Sequence, residues 1–190
     1  MDSHHELLDF WFGAGTPAFL RFRREWFAAD PAFDDRIRDR FLRDWERASV
    51  GEFSSWQDAA DGSLAFIVLC DQVPRNLFRG DARAFSTDPL ALDAARRALE
   101  RGDDRAFAPV QRWFLYLPFE HSESLEDQRT SVALFEQLRG DPDSVAAVEY
   151  ARHHLQIIEK FGRFPHRNRT LGRVSTPEEE AFLRTPGSSF

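Results

Sequence analysis

The sequence contains one cysteine, Cys70. That excludes an intrachain disulfide and a thiolate zinc site. Lys160 is the only lysine, so nearly all the positive charge is arginine. Codon bias in a GC-rich genome accounts for the ratio, though not for where the arginines sit. The longest apolar run is Leu64 to Cys70, far short of the roughly 20 residues a membrane-spanning helix needs. The N-terminal stretch MDSHHELLDF lacks a basic segment followed by an apolar one, so no secretory signal is read and the cytoplasm is expected. Neither G-x-x-x-x-G-K nor G-x-G-x-x-G occurs, and there is no G-x-S-x-G elbow. No segment alternates apolar and polar residues as a half-buried strand does.

What is present describes one helical domain over residues 1–190. Hydrophobic residues make up 42% and aromatic residues 14%, with 19 Phe and 5 Trp. A disordered chain is poor in these types. The net charge is -7, which argues against nonspecific nucleic-acid binding as the main role.

Caps and breakers place the helices. Ser3 and Glu6 read as a capping box for LLDFWF, which stops at Gly13. A short helix is expected over about 19–28. Asp30-Pro31 opens a helix with Phe33, Ile37, Phe41 and Trp45 on one stripe. Asp61 is expected to cap the apolar helix LAFIVLCDQ, and Pro74 to end it. Asp88-Pro89 repeats the cap signal. Pro109 opens a segment that Pro118 breaks. A helix from about 124 to 139 and the longest helix, from Pro142 to about Phe161, follow. Gly162 and Pro165 end the latter. Thr176 to Glu179 begins a last short helix, and the tail from about 184 is expected to fray. Short connections predict a layered array of antiparallel helical hairpins.

Two helices run into similar loops, VPRNLFRG at 73–80 and FPHRNRTLGR at 164–173. Asp71 lies near a helix C-terminus, where a carboxylate meets the negative end of the helix dipole. It needs a cation, and Arg75 and Arg79 are nearby. The second loop gathers Arg163, His166, Arg167, Asn168, Arg169 and Arg173. Arginine suits carboxylate and phosphate because its planar fork donates two parallel hydrogen bonds. The loops are therefore read in two ways, as an anion site or as an internal ion-pair network with acids such as Asp71, Glu120 and Glu123. His154 reads as a satisfied core histidine on an apolar stripe.

Between the loops lies YLPFEHSESLED at 116–127. Ser122 or Ser124 caps the next helix, and Glu123, Glu126 and Asp127 suit its positive end. Tyr116, Glu120 and His121 remain. A histidine among carboxylates is the usual setting for acid–base work. The spacing of His121 and Glu123 matches no metal signature, and His4 and His5 read as exposed helix-start residues, so no metal is assigned.

LLDFWFG at 7–13, DQVPRNLFRG at 71–80, YLPFEHSE at 116–123, FGRFPHRNRTLGR at 161–173 and STPEE at 175–179 together resemble the bacterial family called domain of unknown function 924. The resemblance covers nearly the whole chain. It implies an all-α, tetratricopeptide-like superhelical fold, and it brings no activity, cofactor or catalytic residue with it.

Two functions are expected on this basis. In the first, Arg75, Asn76, Arg79, Tyr116, Arg163, Arg167, Asn168 and Arg173 bind a small phosphate- or carboxylate-bearing molecule. His121 or His166 then transfers a proton, with Glu120 or Asp71 orienting it. In the second, the helical array is an interaction module for a peptide or protein partner. Neither cofactor nor oligomeric state is specified.

Overall fold

The computed structural model describes residues 3–16 and 19–188. The fold is all-α, with no strand among the described residues. The helices are α1 (Ser3–Phe12), α2 (Pro31–Ser49), α3 (Ala60–Ile67), α4 (Val73–Leu77), α5 (Asp88–Arg101), α6 (Pro109–His121), α7 (Leu125–Glu136), α8 (Val145–Phe161) and α9 (Pro177–Leu183). A π-helical turn, Val68–Gln72, joins α3 to α4.

Asp30 caps α2 by accepting from the amides of Ala32 and Phe33 at 3.0 and 3.1 Å. Pro31 takes the first helical position, where its missing N–H costs nothing. The stripe Phe33, Ile37, Phe41 and Trp45 is buried as its spacing predicts. Helix α3 is apolar and buried from Leu64 to Ile67 and lies against α1, α5 and α6. Helices α5 to α8 each pack against the next in chain order. Most of the core is one cluster. A smaller one joins Ile157, Ile158 and Phe164 to Phe161 and Phe182.

Proline is where the fold departs most from its sequence. Neither Pro74 nor Pro118 ends a helix: the helical run continues from Ala60 to Leu77, and α6 runs through Pro118 to His121. Within the first run the π turn absorbs the defect. Pro74 has no N–H for the Cys70 carbonyl, and that oxygen instead accepts from the Thr87 hydroxyl at 2.6 Å. The Trp45 indole N–H holds Thr87 in turn, at 3.2 Å. The carbonyl a proline abandons is thus satisfied from another element. In α6 the residues from Trp113 to Glu120 are all buried, and burial on that scale outweighs the roughly 3 kcal/mol cost of an interior proline.

Other expectations shift locally. Residues 19–28 hold one 3-10 turn, Arg24–Trp26, rather than a helix. The Arg23 guanidinium caps the carbonyls of Phe10 and Trp11 at the end of α1, at 2.8 and 2.7 Å, and so pins this segment as a connector. Asp61 and Asp88 lie inside the first turns of their helices, and neither caps them. Helix α7 stops at Glu136, and α2, with 19 residues, is longer than α8 with 17. The Ser3 side chain lies outside what is described. Gly162 ends α8 at φ 67°, a left-handed cap that suits glycine. Of the tail, Ser188 donates to the Leu183 carbonyl at 3.1 Å.

Candidate functional site

The π turn decides where Asp71 points. Asp71 is fully buried, and its carboxylate collects donors from three elements. The imidazole Nδ1 of His121, the last residue of α6, lies 2.7 Å from Oδ1. The Gln72 amide donates to Oδ2 at 2.6 Å. The Arg75 guanidinium, one turn along in α4, lies 3.3 Å from Oδ1 and also donates to the Asp71 carbonyl. Burial alone would raise the Asp71 carboxyl, but the charge of Arg75 and the hydrogen bonds from His121 and Gln72 hold it below the usual carboxylate range. An ionised Asp71 can only accept, so Nδ1 of His121 carries the proton and Nε2 keeps its lone pair. Burial and Arg75 pull the His121 imidazole below its ordinary value, although Asp71 pulls the other way. His121 is a neutral base held in one tautomer.

Arg75 is a bridge. Its two terminal nitrogens also bind both oxygens of Asp88, at 2.8 and 3.0 Å. Asp88 sits at the first position of α5, where the helix dipole favours a carboxylate. The second loop reaches the same place. Arg167 lies 3.7 Å from Asp88 and donates to the His121 carbonyl at 3.0 Å. Its guanidinium carbon is 4.8 Å from the ring centre of Phe85 and 4.6 Å from that of Phe164. Two aromatic faces offset part of the cost of burying the charge. Burial and the charge of Arg75 lower Arg167 to about 10, so it stays a cation at neutral pH. Its Nε is buried and has no partner among the described residues.

A second carboxylate–imidazole pair lies beside the first. Glu120 precedes His121, and its Oε1 is 3.2 Å from Nδ1 of His154 on α8. That nitrogen also faces the Tyr150 carbonyl at 2.9 Å. Burial, then the charge of Asp71, pushes Glu120 up to about 8. Burial pushes His154 down to about 3. Both are neutral near pH 7. His166 is also neutral there, lowered to about 4 by burial and by Arg167.

The sequence-predicted residues therefore divide. Asp71, Arg75, Glu120, His121 and Arg167 converge, with His166 in their field. Asn76 and Arg79 do not join them, because Asp34 at the start of α2 takes both. Arg79 binds it at 2.6 and 2.9 Å and Asn76 at 2.8 Å. Arg163 forks onto Glu179 at 2.6 and 2.8 Å. Arg173 forks onto Glu123 at 2.6 and 2.9 Å and also ties down the Phe164 carbonyl and the Asn168 side chain. Asn168 bonds Glu179 and Ser175. Tyr116 donates to Asp104 at 2.9 Å, away from the cluster. These side chains hold the loops in place. Sequence reasoning missed Asp88, Phe85, Phe164 and the pairing of His154. Asp88 was masked by its Asp-Pro context, which also describes a cap.

Surface hollows lie elsewhere. One of about 620 Å³ is lined by Leu125, Glu126, Arg129, Thr130 and Ala133. Another of about 320 Å³ lies beside Phe10, with Arg23, Arg36 and Arg40 at its rim. No described helix is long and apolar enough to cross a membrane.

A family profile described as "Bacterial protein of unknown function (DUF924)" matches residues 7–187. A solved structure of a protein of unknown function from Agrobacterium tumefaciens is similar over 95% of this chain and 96% of that chain, with 41% identity and a TM-score of 0.85. No curated protein matches the chain.

Proposed function

Since the chain belongs to the DUF924 family, whose description carries no activity, we propose on its own geometry that the Asp71–His121–Arg167 cluster is an acid–base site for a small carboxylate- or phosphate-bearing molecule. The observation that carries this reading is the 2.7 Å contact between a fully buried, ionised Asp71 and His121. It leaves Nε2 as the basic atom, the arrangement that proton transfer needs. Arg167 supplies the anion contact, because Arg75 is already shared between two carboxylates while Nε of Arg167 is not engaged. The part-exposed members are His121 and Arg75, with side chains 14% and 19% exposed, so a ligand enters past them. The π turn supports the reading too, since such turns recur at functional sites. The reaction is a hydrolysis or elimination that begins with proton abstraction.

Thermal shift with inorganic phosphate and with succinate tests the proposal. One of them raises the melting temperature of the wild type, as a ligand that prefers the native state must. Arg167→Ala removes that rise, and His121→Asn keeps it. The reading fails if neither anion shifts the wild type, or if Arg167→Ala shifts equally.

A second reading has its own observation. Phe19, Phe22 and Phe27 are each more than half exposed, and Phe22 stacks on Phe27 at 6.2 Å. Interfaces favour such aromatics. Against it, Trp11, Trp26, Trp45 and Trp113 are buried, so the aromatic surplus is mostly core.

A further inference from the structure

The N-terminal turn of α1 and the start of α3 bring together a group outside that cluster. Nε2 of His4 lies 3.7 Å from Oδ2 of Asp61, and Nδ1 of His5 lies 3.6 Å from the same oxygen. The three potential ligand atoms are all within 4.8 Å of one another. Adjacent helical residues point about 100° apart, yet the two imidazole ring centres are only 4.1 Å apart.

The surroundings prepare this convergence. Oδ1 of Asp61 accepts from the Gly62 amide at 2.9 Å, which leaves Oδ2 turned to the histidines. A Cβ on Gly62 would sit 2.0 Å from the Trp56 carbonyl oxygen, so only glycine lets α3 start this close to the preceding turn. The Trp56 ring in turn lies 5.4 Å from that of His4. Nitrogen–oxygen separations of 3.6 and 3.7 Å are too long for hydrogen bonds. Nδ1 of His4 is buried and has no partner among the described residues. Nε2, the other nitrogen of this mostly buried ring, faces Oδ2 of Asp61 without hydrogen-bonding to it, so its lone pair is open to a metal ion.

One kind of ligand suits the three atoms that face one another, Nε2 of His4, Nδ1 of His5 and Oδ2 of Asp61. Zinc binds imidazole nitrogen and carboxylate oxygen at roughly 2.0–2.2 Å, which sets tetrahedral ligand atoms about 3.4 Å apart. The two nitrogen–oxygen separations, 3.7 and 3.6 Å, close to that with movements of a few tenths of an ångström, and the two nitrogens lie within 4.8 Å of each other. Imidazole and carboxylate together suit a divalent transition ion rather than calcium or magnesium.

We propose that His4, His5 and Asp61 bind one divalent transition-metal ion, zinc being the reference case, and so clamp the start of α1 to the start of α3. Three protein ligands leave a fourth position for water. The site is independent of the acid–base cluster. Asp61 and Asp71 are ten residues apart on one helical run, on the order of 15 Å along its axis.

Untagged full-length protein, stripped with a chelator and dialysed against zinc chloride, tests this. The wild type takes up one zinc per chain and melts at a higher temperature with it. Cobalt in its place gives the visible absorption of a tetrahedral nitrogen–oxygen site. His5→Ala and Asp61→Asn affect half-exposed side chains, and their helical circular dichroism stays that of the wild type. Each weakens zinc binding at least about tenfold, the scale on which lost support at a metal site is felt. His121→Asn leaves it unchanged. The proposal is overturned if the wild type takes up no stoichiometric zinc, or if both variants bind it as tightly as the wild type does.

Discussion

Two carboxylate–imidazole pairs stand side by side at the end of α6, and they have opposite electrostatics. In the Asp71–His121 pair the acid is ionised and fixes the base. In the Glu120–His154 pair both partners are neutral. Distance does not explain the difference, at 2.7 against 3.2 Å, and neither does burial, since Glu120 and Asp71 are both enclosed. The difference is Arg75. It lies against Asp71 and supplies the charge that desolvation would otherwise forbid. No such cation offsets the burial of Glu120, and Asp71 is already negative beside it. One guanidinium thus sorts two similar pairs into a charged one and a neutral one, the kind of divergence that separates acid and base roles.

Breaking the charged pair has the largest expected effect. Asp71→Asn leaves Arg75 and His121 without their shared anion. A loss of about 3–5 kcal/mol in urea unfolding is expected, as for other broken buried pairs. A loss below about 1 kcal/mol would mean that Arg75 is held by Asp88 alone.

The neutral pair is next. An acid with a raised folded pKa stabilises the fold below its unfolded value and loses that contribution as pH rises through the folded one. For Glu120 the window runs from about 4.5 to about 8. Histidines with lowered folded values act in the opposite sense. Stability is lost as pH falls below about 6.5 toward about 3 for His154 and about 4 for His166. Stability therefore peaks near pH 6.5 and falls by roughly 1–2 kcal/mol by pH 8. In Glu120→Gln the alkaline fall disappears and the acid fall remains. A wild type as stable at pH 8 as at pH 6.5 would contradict the assignment.

The smallest effect provides the baseline for both. Arg79 belongs to the same loop as Arg75, but its side chain is 41% exposed on Asp34. Arg79→Ala is expected to cost less than about 1 kcal/mol, as surface ion pairs do. A cost near that of Asp71→Asn would erase the distinction between the two arginines of that loop.

Much of the fold was legible in the sequence, because caps and stripes are local. Asp30 before Pro31, the apolar stripe of α2, Gly162 and the Thr176–Glu179 box each act within a turn or two of chain. The prolines were misleading for the same reason. Their cost is local, while the burial that overrides it in α6 and the Thr87 hydroxyl that repairs it after α3 come from distant residues. The candidate site was half legible. Asp71 was singled out as a helix-end carboxylate, but it lies inside the helical run, and its need for a cation comes from burial rather than from the helix dipole; His121 stood among acids. Arg75 and Arg79 have nearly equivalent neighbours in sequence, as do Arg167 and Arg163. Which of them face the cluster depends on where Asp34, Asp88, Glu123 and Glu179 arrive, and no local pattern encodes that.

The π turn at Val68–Gln72 also sets how this chain can change over time. Such a turn amounts to a single residue inserted into an α-helix. Removing one residue there would return the run to plain α-helix and rotate everything beyond it by about 100°. Arg75 would leave Asp88, and Thr87 would face no abandoned carbonyl. Point substitutions can adjust the cluster one contact at a time. A one-residue deletion dismantles it in one step, so related chains that keep the cluster should also keep the length of this segment.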